Sequence, residues 1–274
     1  MAFTFTPETE AFPLFDTHAH YYDDRFASEA DGGSDAVLGA LLAGNVRHIV
    51  NAGTNPITNQ KVIALAEAYE PLYAVVGIHP EDIASLGDPN DILGELERQL
   101  SHPKVVALGE IGLDYHFTEI ESEREEQKVW FRRQLALAEK LGVKVVIHDR
   151  DAHGDCMDIL AEFPKVTGVF HSFSGSGEMA RQLVNKGWYI SFSGVITFKN
   201  ATRLAEIVPT VPLDRVFIET DAPYLAPTPY RGQMNHSGLM ERTAVRAAEL
   251  YGIPLDVFCR QTYENALTFF GISE

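Results

Sequence analysis

Short apolar runs alternate with helix-like segments along most of the chain. Eight runs are rich in β-branched and aromatic residues, as strands are; they cover residues 14–20, 47–53, 73–80, 105–113, 143–150, 168–174, 189–196 and 216–221. The run at 143–150 reads VKVVIHDR and scarcely alternates apolar with polar residues. Such a pattern is typical of a strand covered on both faces, as in a parallel sheet.

Helix signals fill the segments between these runs. The clearest cover residues 35–44, 57–70, 121–141 and 176–186, and a glycine at or just after the end of three of them favours termination there. Residues 254–270 repeat apolar positions at helical spacing. This last pattern predicts one extra C-terminal helix, packed on the outside.

Strands that alternate with helices predict an α/β fold with a parallel sheet. Eight such units fit within roughly 210 residues, and no glycine-rich phosphate loop follows the first strand, so a closed (βα)8 TIM barrel is favoured over an open, doubly wound sheet. No linker interrupts the pattern. We therefore expect one domain over residues 1–274, with residues 1–13 as an N-terminal extension.

The charge of the chain narrows its possible partners. Its 274 residues include 22 Lys and Arg and 39 Asp and Glu, a formal net charge of −17. Such a chain is poorly suited to wrapping nucleic acid or lying on an anionic membrane, although a metal ion can reverse the charge locally. No stable protein partner is evident.

Cysteine usage and hydropathy bear on the compartment. The two cysteines, Cys156 and Cys259, are too few for a disulfide framework or a thiolate zinc site. The first residues lack the basic and apolar regions of a signal peptide, and no run reaches the ~18 apolar residues of a membrane span. A cytoplasmic protein without a membrane partner is the simplest expectation.

Histidines gather where the predicted strands end. Eight of the ten lie at or after the carboxyl end of a strand: His18, His20, His79, His116, His148, His153, His171 and His236. In a barrel these ends meet on one face, which is where barrel enzymes have their active sites. The placement therefore predicts a site at that face.

Two motifs point to metal binding at this face. His18 and His20 are two residues apart in the first strand, so their side chains share a face and can bind one ion. Glu110 is a carboxylate within an apolar strand, and its burial is costly unless a cation or hydrogen-bond donors accompany it. A metal ion would remove that cost.

Three further candidate ligands, His148, His171 and Asp221, end strands five, six and eight. With the two histidines of the first strand and Glu110 they make six, too many for one tetrahedral ion with an open position. Two divalent ions ~3.5–4 Å apart, sharing Glu110, would use them all. The imidazole-rich set suits Zn, Mn, Fe, Co or Ni better than Mg.

Several strand-end motifs resemble those of the TatD family of metal-dependent deoxyribonucleases, within the amidohydrolase-like barrels. They are FDTHAH at 15–20, GIHP at 77–80, GEIGLDY at 109–115, HSFSG at 171–175, and ETDAPYL at 219–225 with RG at 231–232. The resemblance covers nearly the whole chain. It implies phosphodiester hydrolysis of DNA, often from a 3′ end as a 3′–5′ exonuclease and often with Mg.

The resemblance also implies a division of the ligands between two ions. His18, His20, Glu110 and Asp221 would hold one ion, and Glu110, His148 and His171 the other. The chain departs from the family at Ser172, where Cys is frequent, and at 235–237, where Asn-His-Ser replaces Asn-Glu-Pro. Neither departure touches a ligand, but the second bears on the loop after strand eight and so on substrate preference.

The expected mechanism uses a hydroxide that the two metals generate and that attacks phosphorus. Asp221 is expected to be both ligand and proton acceptor, and Glu110 the shared ligand. Asp114 is a candidate partner of a ligand histidine.

Candidate substrate contacts come from residues beyond the ligands. Arg150, Lys199 and Arg231 follow strands five, seven and eight and are candidate phosphate clamps, and His79 is a candidate substrate contact. Four aromatic residues are candidates for stacking on bases: Tyr21, Tyr22, Phe173 and Tyr224.

Three other interpretations remain open. Barrels with two metals also cleave other esters and amides, for example in aminoacyl-tRNA deacylation. A carboxylated lysine on strand four would favour that branch, whereas Glu110 favours the nuclease-like one. A degenerate barrel without catalytic activity would lack ligands, and a metal-free enzyme would leave Glu110 buried beside four histidines.

Overall fold

A computed structural model describes residues 3–7 and 12–273. Its eight strands are β1 (Leu14–Ala19), β2 (Val46–Ala52), β3 (Leu72–Val76), β4 (Val105–Asp114), β5 (Val145–Arg150), β6 (Gly168–Phe170), β7 (Tyr189–Phe192) and β8 (Val216–Ile218). They pair in parallel in chain order, and a bridge between Ala19 and Ala222 brings the last strand back towards the first. The predicted TIM barrel is confirmed. Residues 1, 2 and 8–11 of the predicted N-terminal extension lie outside the described residues.

Helices cover the strands from outside. They are α1 (Asp24–Glu29), α2 (Gly33–Leu42), α3 (Pro56–Ala68), α4 (Pro89–Gln99), α5 (Glu121–Leu141), α6 (His153–Ala161), α7 (Gly177–Asn185), α8 (Thr202–Ile207), α9 (Met240–Tyr251) and α10 (Leu255–Phe270). The helix predicted at 121–141 is confirmed with the same bounds as α5. It ends at Gly142, which adopts a left-handed backbone conformation with φ of 68°. No described helix is long and apolar enough to cross a membrane.

The extra C-terminal helix α10 closes the amino-terminal end of the barrel. Its Phe270 stacks on Phe15 of β1 with ring centroids 5.8 Å apart, and its Phe269 packs edge-on to Phe217 of β8 at 5.3 Å. These rings join inward-facing residues such as Val146 in one buried cluster. The helix was expected on the outside of the barrel; instead it forms the floor of the interior, because its aromatic face fills space that the strand residues leave.

Four strands end three or four residues earlier than the sequence predicts: β3 ends at Val76 rather than at 80, and β8 at Ile218 rather than at 221. β6 ends at Phe170 rather than at 174, and β7 ends at Phe192 rather than at 196. The backbone turns after β6, where Ser172 has φ of 39°, and residues Gly194–Thr197 form a 3₁₀ helix. His171 therefore projects from a turn rather than from a strand.

Candidate metal centre

A cavity of about 720 Å³ opens at the carboxyl ends of the strands. Its lining includes Glu110 from β4 and Asp221 from the loop after β8, together with four of the histidines that the sequence placed at strand ends. His18 lies below these, 1% exposed. The structure thus brings all six predicted ligands to one place.

One oxygen of Glu110 faces the donors from the first and last strands. Its Oε2 lies 3.1 Å from Nε2 of His18 and 3.8 Å from Nε2 of His20. The same His20 nitrogen is 3.2 Å from Nε2 of His18 and 3.2 Å from Oδ1 of Asp221. Asp221 is held in reach because its N–H donates to the carbonyl oxygen of His18 at 2.9 Å.

The other oxygen of Glu110 faces donors from the middle strands. Its Oε1 lies 2.7 Å from Nδ1 of His148 and 2.8 Å from Nε2 of His171. Those two nitrogens are 3.3 Å from each other. Glu110 therefore stands between two donor groups, one on each carboxylate oxygen, which is the arrangement expected of a shared ligand.

Polar partners behind the histidines orient their rings. Nδ1 of His20 contacts the carbonyl oxygen of Ala52 at 2.8 Å, so that nitrogen carries the proton and Nε2 is left to face the site. Nε2 of His148 contacts Oδ2 of Asp114 at 2.9 Å. The sequence had suggested Asp114 for such a role.

Glu219 is a partner that the sequence analysis missed. Its Oε1 lies 3.2 Å from Nδ1 of His171 and accepts the N–H of Ser172 at 2.6 Å, while Oε2 accepts from the Ser191 hydroxyl at 2.6 Å. Glu219 is 1% exposed. The available signal was its spacing: Glu219 and Asp221 are two apart after an apolar strand, so a second buried carboxylate was readable there.

The electrostatics of the cluster suit a cation. Burial alone would raise the pKa of Glu110, but the imidazoles of His171, His18 and His79 hold that pKa well below its ordinary value. Burial alone would lower the pKa of His148, yet its bonds to Asp114 and Glu110 raise it to about 9. The Glu110 carboxylate is compensated by the surrounding imidazoles, whose nitrogens are metal ligands when neutral. The donor set therefore fits divalent ions, which would take the place of those protons.

His79 lies beside the ligands, and with Glu110 and His148 it forms a group whose donor atoms lie within 4.8 Å of one another. Its Nδ1 accepts the N–H of Glu81 at 3.2 Å, so the ring proton resides on Nε2, which lies 3.6 Å from Oε1 of Glu110. Burial and the neighbouring His148 lower the pKa of His79 to about 3. A neutral ring with its N–H towards the cavity can donate a hydrogen bond there, and the substrate contact stays a prediction.

The three predicted phosphate clamps separate in space. Arg150 lines the cavity. Lys199 and Arg231 are exposed and do not line it. The 3₁₀ helix after β7 carries Lys199 outward, and the Arg231 guanidinium stacks over Phe198 at 3.8 Å instead of facing the cavity. The structure therefore corrects both expectations.

The aromatic candidates also divide. Tyr22 and Tyr224 line the cavity, and 44% of Tyr224 is exposed. Phe173 also lines the cavity but is only 3% exposed, whereas Tyr21 is 0% exposed and belongs to the core, so Tyr21 cannot stack on a base. Phe117 lines the cavity with 63% of its surface exposed, and the sequence analysis did not single it out.

Three strand-end histidines lie away from Glu110. Nδ1 of His116 pairs with Asp151 at 3.2 Å, and Nδ1 of His153 pairs with Asp149 at 2.8 Å. His236 packs against the ring of Phe3 with centroids 5.1 Å apart. Position at a strand end was thus insufficient; only side chains that point into the barrel reach the site.

The Asn-His-Ser segment at 235–237, which differs from the family pattern, forms hydrogen bonds behind the site. Asn235 donates to the carbonyl oxygens of Thr220 and Tyr224 at 2.9 and 2.7 Å. Ser237 donates through Oγ to Asp16 at 2.7 Å, a bond that proline could not make. The loop after β8 is therefore tied to β1, and no ligand is displaced.

Fold and site together define a class, the metal-dependent hydrolase barrels. The family model described as "TatD related DNase" matches residues 15–271. The chain is 37% identical over 262 residues to the uncharacterized metal-dependent hydrolase YabD of Bacillus subtilis (strain 168), covering 95% of this chain and 100% of YabD. It is 34% identical to the uncharacterized metal-dependent hydrolase YcfH of Escherichia coli (strain K12), covering 94% and 96%.

A solved structure agrees. The crystal structure of YjjV, a TatD homologue from Escherichia coli K12, superposes with a TM-score of 0.86 at 31% identity, covering 95% of this chain and 98% of that one. The chain belongs to the TatD family.

Proposed function

We propose that this protein is a metal-dependent phosphodiesterase that hydrolyses DNA, acting at strand ends or on short single strands in the cytoplasm. The observation that carries the proposal is the placement of Glu110, whose Oε2 faces His18 and whose Oε1 faces His171. Two divalent ions there would suit attack on a phosphodiester, because such pairs stabilise both the attacking and the leaving oxygen.

The ligands would divide as the donor geometry suggests. His18, His20, Asp221 and Glu110 would hold one ion, and Glu110, His148 and His171 would hold the other. When bound, the ions supply Lewis acidity towards the phosphate and make a coordinated water acidic enough to lose a proton at neutral pH.

The chain's own groups would manage the proton and the substrate. Asp221 is 16% exposed at the cavity and would accept the proton of the attacking water. Burial would raise the pKa of this carboxyl, but the bond with His20 lowers it, so Asp221 is ionised and ready to accept. Nε2–H of His79 would donate to a phosphate oxygen, and Arg150 would bind a neighbouring phosphate.

A second function is favoured by the charge of the cavity wall. Seven carboxylates and one guanidinium line it. Carboxylates at the rim, such as Asp23 and Glu81, suit an ammonium group, as an aminoacyl ester carries. Ester hydrolysis, for example aminoacyl-tRNA deacylation, is therefore the alternative that we keep.

One panel of substrates separates the two. The purified protein, loaded in turn with Zn, Mn, Co, Ni and Mg, is offered single-stranded DNA, duplex DNA, RNA, aminoacyl-tRNA and a small chromogenic phosphodiester. We expect turnover of DNA and of the small phosphodiester. Turnover of aminoacyl-tRNA alone would establish the alternative and overturn the proposal.

The same panel tests the proton acceptor. Asp221→Asn keeps a ligand oxygen but loses basicity, so we expect at least a 100-fold fall in kcat at unchanged metal content. Turnover close to that of the unmodified protein would remove Asp221 from this role.

A further inference from the structure

Phe117 is an apolar side chain held out in solvent at the mouth of the cavity. It lies between β4 and α5, lines the cavity, and leaves 63% of its surface exposed. Its ring contacts His116 edge-on at 4.9 Å between centroids. Exposure of a phenyl ring at a cavity rim contributes nothing to the core.

The loop that presents Phe117 is tied down on both sides. The N–H of His116 donates to Oδ1 of Asp114 at 2.8 Å. On the other side Arg124 donates to the carbonyl oxygen of Thr118 through Nε at 3.0 Å and Nη2 at 2.8 Å. The ring is thus a fixed platform, and it is anchored to the same Asp114 that orients His148.

Arg150 lies beside this platform. Its guanidinium carbon is 4.8 Å from the centroid of the Phe117 ring, because Arg150 pairs in register with Asp114 across β4 and β5. Among the described residues, no carboxylate lies within ion-pair distance of this guanidinium. Arg150 is also the single Lys or Arg among the described residues that line the cavity. The charge of Arg150 favours the ionised forms of the nearby Asp114 and Glu81 carboxyls by lowering their pKa, but its guanidinium forms no ion pair with either, so its N–H groups can donate to a bound anion.

We propose that Phe117 and Arg150 together bind one unpaired nucleotide of a DNA strand, with the base stacked at Phe117 and a phosphate on Arg150. The inference rests on the proposed function and names its substrate more closely. A base within a duplex has both faces covered by its neighbours, whereas a base at a frayed or single-stranded end can stack on a protein ring at little cost. The site therefore selects unpaired ends, and it supplies the positive charge that the acidic cavity wall lacks.

The test measures binding, not cleavage. The metal-loaded protein is titrated into a short single-stranded oligonucleotide that carries 2-aminopurine at its 3′ end and cleavage-resistant phosphorothioate linkages. Stacking on a ring quenches 2-aminopurine fluorescence. We expect quenching with the unmodified protein and with Phe117→Trp. Phe117→Ala should lose the quenching and bind about tenfold more weakly.

An abasic nucleotide at the same end completes a thermodynamic cycle. Loss of the base should weaken binding to the unmodified protein about tenfold. It should scarcely change binding to Phe117→Ala, because that variant has already lost the ring on which the base would stack. Arg150→Ala should weaken binding of both oligonucleotides equally, and the loss should narrow as salt rises. Val257→Ala and Arg260→Ala, exposed changes on α10 at the far end of the barrel, serve as controls and should leave binding unchanged.

The outcomes are separable. Undiminished quenching and affinity in Phe117→Ala would overturn the inference, as would failure of the unmodified protein to bind the oligonucleotide. Quenching that depends on Phe117, without cleavage of unmodified DNA under any metal, would uphold the nucleotide site and overturn the proposed function. A melting curve of Phe117→Ala that matches the unmodified protein excludes misfolding.

Discussion

One carboxylate, that of Glu110, joins the two halves of the site. The sequence identified it, because a lone acid within an apolar strand needs a compensating charge. The other five candidate ligands were predictable because they lie near the carboxyl ends of strands, and those ends converge in a barrel. The spacing of Glu219 from Asp221 indicated a second buried carboxylate, but its contact with His171, 48 residues away in the chain, is visible only in the folded barrel.

Glu219 provides a test of how the site orients its histidines. Glu219→Gln replaces a carboxylate with two acceptor oxygens by an amide with one. The amide therefore cannot accept hydrogen bonds from His171, Ser172 and Ser191 together. We expect the affinity for the divalent ion to fall about 10–100-fold. Competition with a chromophoric chelator measures this, and Glu206→Gln, an exposed change on α8, is the control. Equal affinities in the two variants would show that Glu219 does not support His171.

His236 makes a prediction about acid stability. Burial lowers its pKa from the ordinary 6.5 to about 4, and its Nδ1 has no hydrogen-bond partner among the described residues. A depressed pKa means that the unfolded chain takes up the proton first. The stabilising contribution is therefore complete above pH 6.5 and is lost as pH falls towards 4.

The measurement is urea denaturation at pH 7.5 and pH 5. The unmodified protein should lose about 2 kcal/mol more than His236→Gln between these values, because the glutamine does not titrate. Other titrating groups cancel in the difference. The same loss in both proteins would contradict the buried, neutral state of His236.

At the scale of elements, the close approach of β4 and β5 places Glu110 beside His148. Gly112 has φ of 147°, and a Cβ there would lie 1.9 Å from the carbonyl oxygen of His148. The sequence showed that glycines flank Glu110 but could not show why, because close approach of two strands is a property of the sheet. The position of α10 could not be predicted either. Its sequence pattern predicts an apolar face but does not show which part of the barrel that face covers.

Gly112→Ala tests the close approach. The added methyl group must push β5 away and take His148 with it, so we expect destabilisation of at least about 3 kcal/mol. Gly39→Ala, in α2 with no atom within 4 Å of the new Cβ, is the matched change and should stabilise by about 0.5–1 kcal/mol. Urea denaturation measures both. A Gly112→Ala protein within about 1 kcal/mol of the unmodified one would contradict the packing described.

For the whole molecule, the net charge and the charge proposed for the site have opposite effects on DNA binding. A net charge of −17 repels DNA, whereas bound divalent ions and Arg150 would attract a phosphate at one point. The fold as a whole was predictable, because eight strand–helix units leave few ways to arrange a parallel sheet. The substrate contacts were harder to predict than the fold. Of the three predicted cationic clamps one lines the cavity, because sequence spacing does not determine the direction in which a loop side chain points.

Global repulsion combined with local attraction predicts that the association rate with DNA rises with salt concentration. Raising ionic strength from about 0.01 to 0.15 M shortens the Debye length from about 30 to about 8 Å, which screens the global repulsion more than contacts at the site. The association rate constant with single-stranded DNA should therefore rise, as stopped-flow anisotropy would record. A rate that falls steadily with salt, as for basic nucleases, would show that local attraction dominates at long range.

The central claim is that the Glu110 cluster binds two divalent ions and hydrolyses phosphodiesters with them. Its most direct test is a titration of the metal-free protein with Zn or Mn, in which cleavage of single-stranded DNA is followed against equivalents of metal per chain. We predict that cleavage rises to saturation at two equivalents and is abolished by Glu110→Ala. No cleavage at any metal loading, or undiminished cleavage in Glu110→Ala, would contradict it.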